Sequence, residues 1–571
     1  MIREELRKLI WKAVNEEVSF ERPENPEHGD YSTNIALVLA KKQGKDPRQV
    51  AETLVSSLDR RGLDFLGKVE VAGPGFINFF LSRKYFLKVL SSIAKEKEKY
   101  GSGKERKRII VEYSSPNIAK PFGVGHLRST LIGQALYNLY KFLGYECIGI
   151  NYPGDWGTPH GKILYQLSEK LLKGKSEKER KEILKSLTPQ DLEKLYVGFH
   201  EEAQQDPTME EEARIWFKKL EMKDKEARMI WEHIRRVSME EFERIYSFLD
   251  VHIDYLIGES FFEGKMKEVV EDFKKKGLAH ESHGAFIVPF PGEALPPAML
   301  LKTDGATTYF TRDLANMKYR IQRWKPDIIA IETGNEQILH FKQVFSASKL
   351  IGYATKEKLV HVFHGLYRTQ EGKFSTRKGQ TVHLEEVLRE AIEKASAIIG
   401  QSETARGLSP EEKEKVARAI GIGGMKYNDL IQHPSGDIIF DWAKILNLKG
   451  NSAAYIQYTF ARCRSILKKA EAMPRNAGDA YEFSKEETEI IRTLNAFPEV
   501  ARDAAERFSP NLVANFVFDL AQKYNLFYGT HSVLQAETKE AKEFRLFLTQ
   551  AVAQVIKNSL SLLGIQTPER M

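Results

Sequence analysis

The chain has 571 residues, a length that predicts about three or four domains, because one domain typically takes about 100–200 residues. Its formal net charge of +7 is a mild excess, which suits a polyanionic partner without requiring one. The two cysteines lie far apart, which argues against a disulfide framework and a cysteine-based zinc site, and no apolar run is long enough for a membrane span. From the cysteines we expect no structural zinc, and we expect no dedicated metal site. Since the first residues resemble neither a signal peptide nor a transit peptide, we also expect a cytoplasmic protein with no membrane partner.

The first domain, residues 1–105, is predicted to mix helices and strands. Helical periodicity covers residues 3–18 and 30–41. Residues 68–81 have the pattern of two strands hinged at Gly73-Pro74-Gly75. Aromatic and amide side chains on such a hairpin could contact an unpaired base, although periodicity alone favours the core for the phenylalanines.

The second domain, residues 106–395, is organised around the glycine-rich turn Lys120-Pro121-Phe122-Gly123-Val124-Gly125-His126. A buried strand is predicted upstream, over residues 108–113, and an amphipathic helix downstream, ending at Gly144. A second strand follows at residues 147–152. This order of strand, turn, helix and strand places a phosphate at a helix N-terminus. The turn is neither G-x-G-x-x-G nor a P-loop, which argues against a nicotinamide enzyme and a P-loop NTPase.

The rest of this domain is predicted to complete a doubly wound, Rossmann-type parallel sheet. Residues 162–249 are highly charged and helical in pattern, so we expect a helical insertion that splits the sheet. Strands return at residues 285–290, 298–302 and 327–334 and predict the second half of the sheet. The fold class is therefore multidomain α/β.

A pocket for a guanidinium group is predicted at the edge of this sheet. Tyr309 and Asp313 are four residues apart at the start of a helix and therefore share one face. Glu112 ends the first strand and could reach the same crevice. Two carboxylates and an aromatic ring suit the flat, planar fork of a guanidinium. Considered singly, Asp313 also fits a helix N-cap, and Glu112 also fits a surface ion pair.

A loop at residues 370–382 carries three cations among small residues, namely Lys373, Arg377 and Lys378. This composition suits a mobile clamp on the pyrophosphate of ATP. It is also typical of solvated surface or of a modification site.

The remaining chain is predicted to be helical. Residues 396–450 form a connecting region, and residues 451–571 form an all-α bundle. Aromatic and cationic side chains recur at helical spacing in the bundle, where they could stack on splayed bases or fill the core. These side chains are Tyr455, Tyr458, Arg462, Tyr524 and Tyr528.

The turn at Gly125-His126 resembles the H-x-G-H signature of class I aminoacyl-tRNA synthetases, and residues 115–130 are similar to arginyl-tRNA synthetases in particular. The loop at residues 370–382 resembles the K-M-S-K-S loop of the same class. The N-terminal hairpin, the bundle and the last ten residues also resemble this family. Two positions depart from its pattern: Gly123 replaces the first signature histidine, and Thr376 replaces the second lysine of the loop. In family members with the second departure, the lysine just before the signature, here Lys120, is held to compensate.

The resemblance implies an enzyme that activates L-arginine with ATP and Mg²⁺ and transfers it to the 3′-terminal adenosine of tRNA(Arg), characteristically only with tRNA bound. It assigns catalysis to Lys120, His126, Lys373 and Lys378, and ATP binding to Gly123, Gly125, His126 and Ser375. It assigns arginine binding to Glu112, Asn117, Tyr309, Asp313 and Gln337. It assigns tRNA binding to Phe76 and Asn78 for the D-loop, and to Tyr455, Tyr458, Arg462, Tyr524, Tyr528 and Met571 for the anticodon.

We expect this enzyme to be a monomer. Two other functions fit parts of the sequence. A catalytically inactive RNA-binding paralogue is favoured only by Gly123. A small-molecule nucleotidyltransferase with the same turn is disfavoured by the long helical bundle.

Overall fold

The computed structural model describes residues 1–58, 63–120, 122–292, 294–369, 383–401, 405–471 and 481–571, together with the backbone of 372–373, 376–377 and 380–381. No helix in these described parts is long and apolar enough to cross a membrane. The predicted multidomain α/β fold is confirmed, with a mixed module before the parallel sheet and a helical bundle after it.

The N-terminal module is built on a three-stranded antiparallel sheet of order β1-β3-β2. Its elements are α1 (Ile2–Val14), β1 (Tyr31–Thr33), α2 (Ile35–Gln43), α3 (Pro47–Ser57), β2 (Leu66–Ala72), β3 (Phe76–Leu81) and α4 (Arg83–Glu96). The predicted hairpin is confirmed as β2 and β3. The helix predicted over residues 30–41 is wrong at its start, because Tyr31–Thr33 pairs with β3 and this long-range pairing overrides the local helical pattern.

The central sheet has five parallel strands in the order β11-β10-β4-β5-β6. These are β4 (Arg108–Glu112), β5 (Glu146–Asn151), β6 (Tyr255–Leu256), β10 (Ile328–Gly334) and β11 (Lys358–His364). Alternate residues of β4 face two different apolar cores, so both sides of the sheet are covered, as in doubly wound folds. The remaining helices of this half are α5 (Gly125–Phe142), α11 (Met266–Lys275), α12 (Tyr309–Trp324) and α13 (Ile338–Leu350).

Five helices fill the predicted insertion between β5 and β6. They are α6 (Thr158–Tyr165), α7 (Glu177–Ser186), α8 (Pro189–Gln205), α9 (Thr208–Glu221) and α10 (Lys225–Leu249), with a π-helical turn at Gln166–Leu171. Helix α10 packs against the glycine-rich turn, since the rings of Phe242 and Tyr246 contact the ring of Phe122. The insertion therefore forms one wall beside the turn.

Two of the strands predicted for the central sheet belong to a different sheet. Strands β7 (His280–Ser282), β8 (Ala285–Val288) and β9 (Ala298–Leu301) form an antiparallel sheet of their own. A short apolar run indicates a strand but does not identify its partner, so the sequence pattern could not separate the two sheets.

Four short strands follow the central sheet, namely β12 (Tyr367–Thr369), β13 (Gly372–Lys373), β14 (Thr376–Arg377) and β15 (Gln380–Thr381). The chain then continues through α14 (Leu384–Gln401) into the connecting region, residues 396–450, which contains α15 (Pro410–Leu430), β16 (Ile438–Ile439) and α16 (Trp442–Ile445). The bundle contains α17 (Ala453–Lys469), α18 (Lys485–Glu506), α19 (Asn511–Thr530) and α20 (Lys539–Leu562).

Hydrogen bonds and ion pairs between buried or partly buried side chains join the N-terminal module to the bundle. The carboxylate of Glu499 on α18 accepts hydrogen bonds from the hydroxyl of Tyr31 at 2.9 Å and from Nη2 of Arg22 at 3.0 Å. Asp30 and Arg492 form a second ion pair at 2.9 Å. The two outer parts of the chain are thus held together, with the parallel sheet beside them.

Candidate active site

The carboxyl ends of β4 and β10 mark the candidate ligand-binding crevice of the central sheet. The chain leaves β4 towards β5 on one side, and β10 pairs with β4 on the other, which makes this the point where the strand order reverses. Ligands of open α/β sheets bind at such a point.

The glycine-rich turn presents an open helix N-terminus to this crevice. Val124, the N-cap residue of α5, makes no side-chain capping hydrogen bond, and nothing lies within 4 Å of the position where Gly125 would carry a Cβ. The N–H of His126 donates to the carbonyl of Gly123 at 3.0 Å, which closes the turn. Uncapped N–H groups and the helix dipole together favour an anion at this position.

The first and last residues of the turn, Lys120 and His126, are the two predicted to act on the phosphate. Lys120 is exposed, and its Nζ lies 4.9 Å from the ring centroid of Tyr196 on α8. Burial, followed by the charges of Lys120 and His364, lowers the pKa of His126 to about 4. The imidazole is therefore neutral near pH 7, and its buried Nδ1 has no partner among the described residues.

His160 on α6 is a buried residue that the sequence analysis missed. Burial is the largest cause of its lowered pKa of about 4, and the charges of Lys120 and Arg312 act in the same direction. The signal that could have found it is its place in the loop that follows β5 at the ligand edge of the sheet.

The two predicted carboxylates lie in the crevice but have different partners. Glu112 is buried and forms an ion pair with Arg320 of α12. Asp313 lies on the first turns of the same helix, and its Oδ2 is 2.6 Å from Nε2 of His340. Burial raises the pKa of Glu112, against the opposing effect of Arg320, and Asp313 adds to the rise because it is close by. The expectation that both carboxylates are open to a guanidinium is therefore corrected: an internal arginine already neutralises Glu112.

The other residues expected at this pocket are exposed. Tyr309 is 58% exposed at the start of α12, Asn117 is exposed and its side chain lies against Gly154, and Gln337 is exposed just beyond β10. Tyr309, Asn117 and Gln337 are thus accessible to a ligand, and their place in the arginine pocket stays a prediction.

A further acidic group near this pocket was not predicted. Glu259 is 2.8 Å from Arg312, whose guanidinium lies 5.1 Å from the ring centroid of Tyr309. Burial is the main cause that raises the pKa of Glu259 to about 8, opposed by Arg312 and increased by Asp313. No periodic pattern in the sequence identifies Glu259, because it begins a 3₁₀-helix of only four residues after β6, Glu259–Phe262.

The predicted clamp loop can be followed only in part. The backbone of Lys373 lies in β13 and that of Thr376 in β14, whereas Ser375 and Lys378 lie outside the described residues. Beyond the loop, the N–H of Leu384 donates to the carbonyl of Phe122 at 3.0 Å. The chain that leaves the loop is thus bonded to the glycine-rich turn.

A cleft of about 850 Å³ in the bundle collects most of the residues expected to bind the anticodon. The guanidinium of Arg462 lies between two rings, 4.8 Å from the centroid of Tyr458 and 4.9 Å from that of Tyr528. The same cleft is lined by Met571 and by the cations Arg464, Lys468, Lys469 and Arg570. Cations beside accessible rings are the combination that binds single-stranded nucleic acid.

Three other residues that were predicted to contact tRNA differ in their exposure to solvent. Tyr455 is half-buried against Phe518, whereas Tyr524 is fully buried and its hydroxyl donates to Oγ1 of Thr549 at 3.1 Å. Its expected contact with a base is corrected, because Tyr524 is a core residue. On the N-terminal hairpin, Phe76 is 40% exposed.

Asn78 lies two residues from Phe76 but has a structural environment. It is 4% exposed, and its Oδ1 accepts a hydrogen bond from the hydroxyl of Ser32 at 2.7 Å. Its amide oxygen therefore fastens β1 to β3 and does not face the surface. This corrects the expectation of a direct D-loop contact.

No group of three or more potential metal ligands was found among the residues that the structure describes. Of the charged side chains near the phosphate turn, Lys120 is exposed, whereas the carboxylate of Glu241 accepts the N–H of Phe122 at 3.3 Å.

Three family profiles match the chain. The one described as "tRNA synthetases class I (R), catalytic domain" matches residues 89–442, the "Arginyl tRNA synthetase N terminal domain" matches 1–81, and the "DALR anticodon binding domain" matches 456–571.

Curated relatives and solved structures agree with these profiles. An arginine–tRNA ligase of Clostridium botulinum (strain Langeland) is 40% identical over 554 residues, which cover 96% of this chain and 95% of the relative. An arginine–tRNA ligase of Clostridium perfringens (strain 13) is 39% identical over 579 residues and covers 99% of this chain and 100% of the relative.

The Thermus thermophilus arginyl-tRNA synthetase structure superposes with a TM-score of 0.83 at 24% identity, covering 100% of both chains. The Plasmodium falciparum enzyme gives a TM-score of 0.82 at 23% identity, covering 100% of this chain and 99% of the other. At such identities the two structures establish the fold.

Proposed function

The chain belongs to the arginyl-tRNA synthetase family of class I, and from this premise we propose how it joins L-arginine to tRNA(Arg) at the expense of ATP. In the first step an oxygen of the arginine carboxylate bonds to the α-phosphate of ATP, and the bond from that phosphorus to the bridging oxygen of pyrophosphate breaks. In the second step a hydroxyl of the 3′-terminal adenosine of tRNA attacks the arginyl carbonyl and AMP leaves. Little covalent work falls to the protein, so positioning and charge stabilisation carry the catalysis.

The arginine side chain occupies the pocket in front of Asp313. The carboxylate of Asp313 accepts N–H groups of the guanidinium, and the exposed ring of Tyr309 lies against its flat side. Glu112 and Arg320 form the floor beneath it, while Asn117 and Gln337 bind the arginine from the rim. The observation that supports the proposal most directly is that Glu112, at the end of the strand that leads to the open N-terminus of α5, lies close enough to Asp313 for that carboxylate to raise its pKa.

ATP lies along the glycine-rich turn. Gly123 and Gly125 let the phosphates approach the backbone, neutral His126 donates a hydrogen bond to the α-phosphate, and Lys120 adds positive charge. Lys373 and Lys378 act on the leaving pyrophosphate, with Ser375 on the nucleotide. Mg²⁺ enters with ATP as part of the substrate and neutralises charge on its phosphates.

The tRNA contacts both ends of the protein. Anticodon bases stack in the bundle cleft on Tyr458 and Tyr528, next to Arg462 and Met571, and Tyr455 supports this wall. Phe76 contacts the D-loop from the N-terminal hairpin. We propose a division of the chain into residues 1–105 for the D-loop, 106–395 for catalysis, 396–450 as the connection and 451–571 for the anticodon, in a monomer that works in the cytoplasm.

Charging of total tRNA with each of the twenty amino acids tests this function. We expect acceptance of arginine alone, with arginine- and tRNA-dependent exchange of pyrophosphate into ATP. Charging with another amino acid would contradict the assigned pocket. Salt-sensitive tRNA binding without pyrophosphate exchange would instead establish the inactive RNA-binding paralogue that Gly123 allows.

A further inference from the structure

Asp429 on α15 is a fully buried carboxylate that contacts two separate parts of the candidate active site. Its Oδ2 accepts a hydrogen bond from the hydroxyl of Tyr367 at 2.6 Å. The same oxygen forms an ion pair with Nε of Arg128 at 3.5 Å. Arg128 lies two residues after His126 on α5, and Tyr367 begins β12. One carboxylate thus joins the phosphate-binding helix to the strand that leads into residues 370–382.

Strand β12 is held by the connecting region and not by the central sheet. It runs parallel to β16, with Tyr367 opposite Ile438 and Arg368 opposite Ile439. Asp437 accepts the N–H of Leu366 at 2.8 Å and binds Nε of Arg368 at 2.5 Å. The segment that connects α15 to β16, together with β16 itself, therefore positions the strand that leads into the clamp loop, residues 370–382.

The buried charges of Asp429 and Arg128 are an unfavourable way to stabilise the fold. Burying an ion pair costs desolvation that its attraction seldom exceeds, and apolar residues of similar volume often stabilise a fold equally well. Nη2 of Arg128 and Oδ1 of Asp429 are buried without hydrogen-bond partners in the described structure. This network is incompletely hydrogen-bonded, yet it joins α5 to β12. We therefore assign it to the relative positioning of these two elements and not to the stability of the fold.

We propose that Asp429 is a positioning residue, which through Tyr367 and Arg128 fixes the strand carrying the pyrophosphate clamp relative to the phosphate-binding helix. This inference rests on the proposed function, because it needs the loop at residues 370–382 to act on pyrophosphate. Asp429 is fully buried and acts through Tyr367 and Arg128, so we assign its effect to the transition state of arginine activation, when the clamp must meet the leaving group.

The substitution Tyr367→Phe tests this role because it removes only the hydroxyl that Asp429 accepts. We expect kcat for arginine-dependent pyrophosphate exchange to fall at least about tenfold, the change expected when a hydrogen bond to a charged group is lost in the transition state. The KM for arginine and the affinity for tRNA should change less than about twofold. Transfer of arginine from added arginyl-adenylate to tRNA should keep its wild-type rate, because no pyrophosphate is present in that step.

Tyr427→Phe is the matched control. Tyr427 is a second buried tyrosine on α15, and its hydroxyl donates to Asn451 and to the carbonyl of Ala514, away from β12. Its removal should lower the melting temperature about as much as Tyr367→Phe while kcat stays near wild type. An equal fall of kcat in both variants would overturn the proposal, since it would reflect general loosening of α15. Normal exchange in Tyr367→Phe would overturn it as well.

A double-mutant cycle separates this inference from the function it rests on. If Tyr367 acts through the clamp, Tyr367→Phe should change kcat much less in a Lys373→Ala background than in the wild type. Fully additive effects would show that Tyr367 does not act through the loop. If Lys373→Ala has normal exchange, the loop assignment and this inference both fail, whereas a wild-type protein without any exchange contradicts the proposed function itself.

Discussion

Nε2 of His340 lies 2.6 Å from Oδ2 of Asp313, which joins the first turns of α12 to α13 at the mouth of the crevice. Glu112, close enough for Asp313 to raise its pKa, is paired with Arg320. Two carboxylates in one crevice therefore have different tasks: one is held at the opening by an imidazole, and the other compensates a buried guanidinium. This difference separates the first two predictions.

Replacing the carboxylate at the opening should weaken selection of arginine. Asp313→Asn removes the charge of a hydrogen-bonded pair, a loss of about 1.5–3 kcal/mol. We expect the KM for arginine to rise by the corresponding factor and discrimination against lysine to fall, with thermal stability nearly unchanged. Steady-state exchange assays with both amino acids measure this. An unchanged KM together with intact rejection of lysine would remove Asp313 from the pocket.

Replacing the carboxylate on the floor should act mainly on stability. Glu112→Gln leaves Arg320 buried without its counter-charge, which typically costs about 3–5 kcal/mol. We expect a lower melting temperature, and partial recovery in the double variant Glu112→Gln with Arg320→Met, because the unpaired charge is then removed. If Glu112→Gln instead raises the KM for arginine without loss of stability, Glu112 contacts the substrate directly.

The sequence predicted the elements that depend on local pattern. Strand β4, the uncapped turn and helix α5 lie where the spacing of apolar residues and the turn formers placed them, and the hairpin at Gly73-Pro74-Gly75 is confirmed. In each case the signal is contained in a short window, because the period of the side chains and the glycine positions determine the local conformation.

The errors share a physical reason, which is that a local pattern does not name a long-range partner. Tyr31–Thr33 becomes a strand through β3, and Ala285–Val288 pairs within a separate antiparallel sheet. The pairing of Glu112 with Arg320 and the burial of Tyr524 against Thr549 likewise depend on tertiary packing. Periodicity showed that Tyr524 and Tyr528 share a helix face but not which of them reaches the surface.

Lys120 should carry a large part of the phosphate stabilisation, because Gly123 and Thr376 each remove a phosphate-facing group of the family pattern. Loss of one preorganised donor of this kind typically costs about 10²–10³ in kcat, or about 3–4 kcal/mol. We expect Lys120→Ala to lower kcat for arginine activation by at least that factor with tRNA affinity nearly unchanged. Thr376→Lys in the same background should restore part of the activity.

Lys162 offers a matched control for Lys120. It lies on α6 of the insertion, which forms the wall beside the turn that carries Lys120, but its Nζ is 2.7 Å from Oε1 of Glu210, so its charge is already compensated. Lys162→Ala should leave kcat near wild type in the same pyrophosphate-exchange assay. Near-normal exchange in Lys120→Ala would show that Lys120 is surface charge only.

The bundle cleft should lose tRNA affinity when an accessible ring is removed. Tyr528 is 41% exposed beside Arg462, so Tyr528→Ala should cost about 1–3 kcal/mol of tRNA binding with little change in melting temperature. Tyr524→Phe, four residues earlier, removes a buried hydrogen bond worth about 1 kcal/mol and should lower stability while tRNA affinity stays intact. Filter binding and thermal unfolding of both variants measure the two effects, and the opposite pattern would move the binding surface away from the cleft.

Buried His160 predicts a stability that declines as the solution becomes acidic. Its pKa is about 4 in the folded chain, chiefly because burial disfavours the charged ring, and about 6.5 when unfolded. Between these values the unfolded chain binds a proton that the folded chain excludes, so this contribution is fully present above about pH 6.5 and is lost as the pH falls towards 4. At pH 5 the loss amounts to roughly 2 kcal/mol.

His160→Gln keeps a polar side chain but cannot take up the proton, so its unfolding free energy should fall less than that of the wild type between pH 7.5 and pH 5. Urea unfolding of both proteins at the two pH values measures the difference, which subtracts the contributions of all other titrating groups. Equal pH dependence in the two proteins would mean that His160 is accessible enough to be protonated in the folded state.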